Sequence, residues 1–142
     1  MSKLSDSDNN KIKQVFEWFK SHKPSADDVK RVFDNEEGIL AMFKLDTLKE
    51  HAAYVPLFFS MLKDNFSKKY KEIPVGTIAT IVGTLLYVFS PLDIAPDFLP
   101  GVGLLDDAAM MALCVSSVKH DVDKYKEWKA DQDDFSDGFK EI

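Results

Sequence analysis

The sequence predicts an all-α fold, a small single-domain bundle of about five or six helices around a buried apolar central helix. Three observations lead there. Apolar residues recur at helical spacing through most of the chain, and no stretch shows the alternation of a half-buried strand. Residues 73–92, IPVGTIATIVGTLLYVFSPL, carry no charge. The 142 residues are the size of one domain with a core of its own. Hydrophobic content of 45% beside 30% charged residues marks a globular chain rather than a disordered one.

Residues 1–8 read as a flexible lead, and the polar start MSKLSDSDNN lacks the apolar core of a secretory signal. From Asn9, Ile12, Val15, Phe16 and Phe19 form the stripe of an amphipathic helix that ends near Ser21, with Pro24 as its stop. Ser25 and Asp28 have capping-box spacing and open a second helix through Val29, Val32 and Phe33, with Gly38 as its expected end. Asp46 is placed to cap a third helix carrying Leu48, Ala52, Val55, Phe58, Phe59, Met61 and Leu62, and Pro56 predicts a kink or a break near Tyr54. The polar stretch KDNFSKKYKE leads onward.

Pro74 suits the first position of the helix that runs to Ser90, which is apolar on every side and so belongs inside a bundle or a bilayer. Its small residues Gly76, Thr80, Gly83 and Thr84 would admit a second helix at close range. Ala108 to about Lys129 reads as a long helix with Leu105, Ala108, Ala112, Val115, Val118, Val122 and Tyr125 on one side. The helical domain thus covers 9–129, and 130–142 is an acidic, frayed tail in which Phe135 and Phe139 could dock on a partner.

The most specific segment is Pro91–Asp107, PLDIAPDFLPGVGLLDD. Ser90 reads as a helix N-cap, Pro91 as the first helical residue and Asp93 as the residue reaching back. Ala95, before Pro96, is pushed out of the helical region, which limits that helix to about one turn, and Pro96 with Asp97 and Pro100 with Gly101 are turn formers. Gly103 is placed to cap the next helix, setting Asp106 and Asp107 in its first turn, where the macrodipole favours carboxylates. On this reading the segment turns the chain between two apolar helices. The sharper alternative is a site. Asp93, Asp97, Asp106 and Asp107 are the only charges between Ile73 and Val118, and paired carboxylates are the ligands that Mg²⁺ or Ca²⁺ takes. A third alternative is that Lys63, Lys68, Lys69 and Lys71 fold back to neutralise the four acids.

Residues from about Tyr54 to Val118 resemble the YkvA-like family, a bacterial and archaeal domain of unknown function. The pattern Pro-x-Asp-x-x-Pro-Asp-x-x-Pro-x-x-Gly-x-x-Asp-Asp after an apolar helix ending in Tyr is met by Tyr87, Pro91, Asp93, Pro96, Asp97, Pro100, Gly103, Asp106 and Asp107. Ala95 departs from it, standing where the family more often has a bulky aliphatic residue. The resemblance implies a helical domain without assigned chemistry, and it implies membrane association, because hydropathy often marks family members as membrane proteins. The 73–92 run has the length of a span, about 20 residues. Its prolines, glycines, threonines and serine weaken that reading. Ala108–Val118 is too short to return, and a longer return would bury Asp106 and Asp107 in hydrocarbon.

Charge and cysteine usage narrow the function. The net charge of −6 argues against a nucleic-acid partner, which needs a basic face. Cys114 is alone within an apolar run, so it reads as a buried residue rather than half of a disulfide or a metal ligand. His22, His51 and His120 lie far apart in the sequence, and the tail fails the calcium-loop pattern at its glycine and glutamate positions. No P-loop, G-x-S-x-G, H-E-x-x-H or C-x-x-C occurs. Trp18 and Trp128 read as core or rim aromatics. The expectation is a cytoplasmic, non-enzymatic interaction or scaffold module that binds a protein partner or itself. The alternatives are a membrane-associated protein anchored by 73–92, and a carboxylate-dependent divalent-metal-binding protein or hydrolase.

Overall fold

A computed structural model describes residues 6–21, 24–45, 48–89 and 107–140, with side chains for 10, 13–21, 24–45, 48–89 and 108–131. The described chain is helical: α1 (Asp6–Ser21), α2 (Ala26–Asp34), α3 (Glu36–Met42), a 3₁₀ turn (Lys49–His51), α4 (Tyr54–Phe66), α5 (Val75–Phe89) and α6 (Asp107–Lys140).

The local signals account for several boundaries. Ser25 caps α2 as a full capping box: its hydroxyl accepts from Asp28 N–H at 3.1 Å, and the Asp28 carboxylate accepts from Ser25 N–H at 3.0 Å. Helical continuity is interrupted before Tyr54, because Pro56 has no N–H and sits in the first turn of α4, where none is needed. Before that break the expected α-helical turns are replaced by a 3₁₀ turn. Pro74 lies one position before its expected place. Its carbonyl accepts the first helical bond, from Ile78 at 3.1 Å, so it serves as the N-cap of α5.

Other expectations are corrected. α1 begins at Asp6, inside the presumed lead, and α6 continues through the acidic tail to Lys140. Apolar periodicity marks where a helix packs, and a helix can outrun its packed face. Gly38 does not end α2, which stops at Asp34 with Asn35 as its C-cap. It lies inside α3, where a Cβ would come 2.9 Å from the Phe89 ring, so its lack of a side chain admits α5. The buried face of α6 is Met111, Cys114, Val118, Val122 and Tyr125, while Ala112 and Val115 are half-buried. Its first turns are apolar all round, so spacing alone could not choose a face, and the larger side chains took the interior.

Ten of the fifteen α5 residues are buried, and the helix touches α1, α2, α3 and α6. Val15, Phe16 and Phe19 of α1, Phe58, Phe59 and Leu62 of α4, and Met110 and Met111 of α6 complete the core. The small-residue stripe of α5 is covered within this chain. A Cβ on Gly83 would meet the Phe19 ring at 2.6 Å, and Gly76 lies under the Lys20 stem at 3.6 Å. The stripe thus receives α1 of its own chain.

Helix α4 ends in a Schellman motif. Lys69 N–H reaches the Asp64 carbonyl at 2.9 Å and Lys68 N–H the Asn65 carbonyl at 3.1 Å, with Lys68 left-handed at φ 66°. A non-glycine residue in that region costs about 1 kcal/mol. Lys68→Gly is therefore expected to raise unfolding stability by about 0.5–1 kcal/mol, read as a higher urea midpoint at unchanged slope.

Candidate functional site

Ser90, Pro91, Asp93, Pro96, Asp97, Pro100, Gly103 and Asp106 lie outside the described residues, and Asp107 is the first residue of α6. Phe135 and Phe139 fall in the part of α6 whose side chains are not described, and His22 is outside as well. Among the described residues no group of three or more His, Cys, Asp or Glu side chains could hold a metal ion. His51 is half-buried in the 3₁₀ turn and His120 is exposed on α6. Trp18 and Trp128 are partly buried at the core edge.

The structure gathers a different set of polar side chains, at the seam of α4 and α6. The Schellman turn sends the chain back so that Tyr70 N–H also bonds the Asp64 carbonyl, at 3.1 Å, and the Asn65 side-chain amide donates to the Tyr70 carbonyl at 3.1 Å. This lays the Tyr70 ring edge-on to Tyr125, centroids 5.3 Å apart, and 4.9 Å from Trp128. Behind these rings the Asp64 carboxylate, its side chain 11% exposed, accepts the Tyr125 hydroxyl at 2.5 Å and the Lys129 ammonium at 3.3 Å. The Tyr125 hydroxyl also bonds the Ser60 hydroxyl. Tyr125 has one proton, and it goes to the carboxylate, so Ser60 donates to Tyr125. The order is Ser60 to Tyr125 to Asp64, with Lys129 closing it from the solvent side.

The relay makes a buried carboxylate tolerable, because two donors, one of them a cation, replace its water. Tyr125 is fully buried and Ser60 half-buried. The group therefore works as a polar tie between two helices and presents no open nucleophile. Lys63, one of the four lysines that the third alternative set against the acidic loop, pairs with Glu36 of α3 at 2.8 Å, while that loop lies outside the described residues.

A second seam joins α5 to α6. Thr77 donates to the Asp121 carboxylate at 2.6 Å, and Thr80 bonds back to the Gly76 carbonyl at 2.8 Å. Thr84 Oγ1 is buried without a hydrogen-bond partner among the described residues. It lies near enough to the Cys114 thiol to favour the thiolate slightly without a full bond. Burial dominates there and pushes the thiol from 9.0 up to about 12. Burial also raises the Tyr70 phenol, helped by the charges of Glu72 and Asp121.

Both groups hold their protons more tightly folded than unfolded. The Cys114 contribution is whole below about pH 9 and is lost as pH climbs toward about 12, by at most about 1.4 kcal/mol per pH unit. Tyr70 adds in the same direction above its ordinary 10.0. Stability is thus expected to fall with rising pH from about 9, and Cys114→Ala should make that decline shallower in thermal melts across the range. An unchanged slope would remove Cys114 from the account.

Sequence reasoning passed over Asp64, Tyr125 and Lys129. Tyr125 and Lys129 lie 61 and 65 residues from Asp64, and Asp64 lies in a polar stretch that reads as a linker. The only local signal was Tyr125 on an apolar face, since a buried tyrosine usually finds a partner for its hydroxyl.

Comparison with known proteins adds relatives. A family model described as a protein of unknown function (DUF1232) matches residues 77–113, which run from α5 through the Pro91–Asp107 segment into α6. The chain is similar to a Bacillus subtilis (strain 168) protein called "Uncharacterized membrane protein YkvA". The two are 33% identical over 89 residues, 63% of this chain and 84% of the relative. No solved structure matches.

Proposed function

We propose, starting from the fact that this chain belongs to the YkvA-like family of proteins of unknown function, that it is a non-enzymatic interaction module. The observation that carries this reading is the enclosure of α5. The uncharged segment that could have been an anchor packs against four helices of its own chain. Its apolar surface thereby serves the core and leaves the outer faces of the bundle for partners. No helix among the described residues is long and apolar enough to cross a membrane. At 15 residues α5 is about 22 Å long, against a hydrocarbon core of about 30 Å.

A second reading is attachment to a membrane, favoured by the words "membrane protein" in the name of the B. subtilis relative. With α5 enclosed, such attachment is peripheral, or is made through another protein. Detergent-free fractionation of the full chain followed by size-exclusion chromatography tests both readings. Folded, monodisperse protein in the supernatant is the expected result. Release from membranes by salt or carbonate would favour peripheral attachment, and release by detergent alone would overturn the enclosed-core reading.

A further inference from the structure

Phe33 and Leu40 floor an open groove of about 470 Å³ at the junction of α2 and α3, with Asp34, Glu36 and Glu37 along its walls. Phe66, in the last turn of α4, is 49% exposed and stands edge-on to the Phe33 ring, centroids 6.2 Å apart. A lone exposed apolar residue needs no explanation. Here the exposed ring stands against Phe33, one of the two apolar side chains lining the groove, whose other lining residues are acids. Lys63 occupies Glu36 at 2.8 Å, while Asp34 and Glu37 remain exposed.

We propose that this groove docks a basic amphipathic segment of a partner protein. An apolar side chain of the partner lies on Phe33, Leu40 and Phe66, and lysine or arginine faces Asp34 and Glu37. The inference rests on the interaction-module reading above and gives it a surface and a partner chemistry. Charge complementarity selects the occupant. The walls carry three carboxylates against the one ammonium of Lys63. An anionic lipid surface is repelled by that field. A second copy meeting the groove about a two-fold axis would set acids against acids. Exposed ion pairs contribute little individually, so the apolar contact supplies most of the affinity and the acids set partner choice and salt dependence.

The test is calorimetric titration of the full chain with a synthetic helical peptide bearing leucine on one face and lysine on the other. Saturable one-site binding that weakens with salt is expected. It should fall about tenfold in the Asp34→Lys/Glu37→Lys variant and comparably in Phe66→Ser. A Glu127→Lys/Asp131→Lys variant, with the same change of net charge at exposed α6 positions, should bind as wild type does. No binding, or equal loss in both charge variants, overturns the proposal, since the latter is attraction to an acidic chain without a site. Dimerisation abolished by Phe66→Ser, or adsorption to anionic vesicles lost in the same variants, would assign the groove to another occupant and overturn it as well. Each of these leaves the interaction-module reading standing while the protein remains monodisperse without detergent. Recovery with detergent alone overturns that reading instead.

Discussion

Asp64→Ala is expected to lower unfolding stability by about 1–3 kcal/mol, the range for a buried polar group that loses its partner. The variant takes the carboxylate acceptor from the fully buried Tyr125 hydroxyl and leaves its bond with the Ser60 hydroxyl in place. It also removes the counter-charge of Lys129, but that side chain is 43% exposed, so water replaces much of what is lost. Asp64→Asn separates the two effects. Its amide oxygen still accepts from Tyr125, so it should cost less than about 1 kcal/mol if the hydrogen bond matters more than the ion pair. Urea unfolding of both variants and of Tyr125→Phe, closed as a double-mutant cycle, measures the coupling directly. An Asp64→Ala protein within about 0.5 kcal/mol of wild type would mean that the relay does not hold α4 to α6.

Gly83→Ala puts two effects of opposite sign in competition. Alanine in a helix interior is favoured over glycine by about 1 kcal/mol, whereas forcing an extra carbon into a packed core costs about 1–3 kcal/mol. The geometry decides between them. The new Cβ would lie 2.6 Å from two atoms and 2.8 Å from a third of the Phe19 ring, and that ring is itself buried between α1 and α5. A rigid ring held on both sides cannot swing away as a lysine tip can. Net destabilisation is expected for Gly83→Ala, and a loss of about 3 kcal/mol or more for Gly83→Val, whose branched side chain adds two methyls at the same contact. Gly76→Ala is the internal control. Its Cβ would meet only the Lys20 stem at ordinary contact distances of 3.6 and 3.8 Å, so it should be neutral or mildly stabilising. A Gly83→Ala protein more stable than wild type would show that α1 does not sit against α5 as described.

The fold class was legible because it depends on short-range periodicity. Val15, Phe16 and Phe19 mark the inner face of α1, Ser25 and Asp28 mark the start of α2, and Pro56 marks a break, each through contacts within a turn or two of itself. The Gly76–Gly83 stripe was legible as a place where a helix comes close. Which helix, and from which chain, was not, since a small residue specifies a distance and leaves the partner open. Gly38 misled for a related reason. Glycine ends helices and also admits neighbours, and only the position of Phe89 tells the two uses apart.

The candidate site divides differently. The Pro91–Asp107 pattern was the most specific feature of the sequence and placed the chain in its family, because fixed spacing of prolines, a glycine and acids is a local property. The four aspartates stood out because they lacked a basic neighbour in sequence. The polar group that the fold assembles had no such mark. Asp64, Tyr125 and Lys129 look ordinary where they stand, and they become a relay only because the Schellman turn at Lys68 and the packing of α4 on α6 bring them within bonding distance.

By itself, the sequence determined that the chain is helical, where most helices start, that one of them is apolar on every side, and which family the chain belongs to. All of these follow from interactions spanning a few residues. The tertiary structure decided what surrounds that apolar helix, which glycine faces which ring, and which acid is buried with which partners. Those outcomes depend on how distant segments share one interior, and a packed interior is a property of the whole chain.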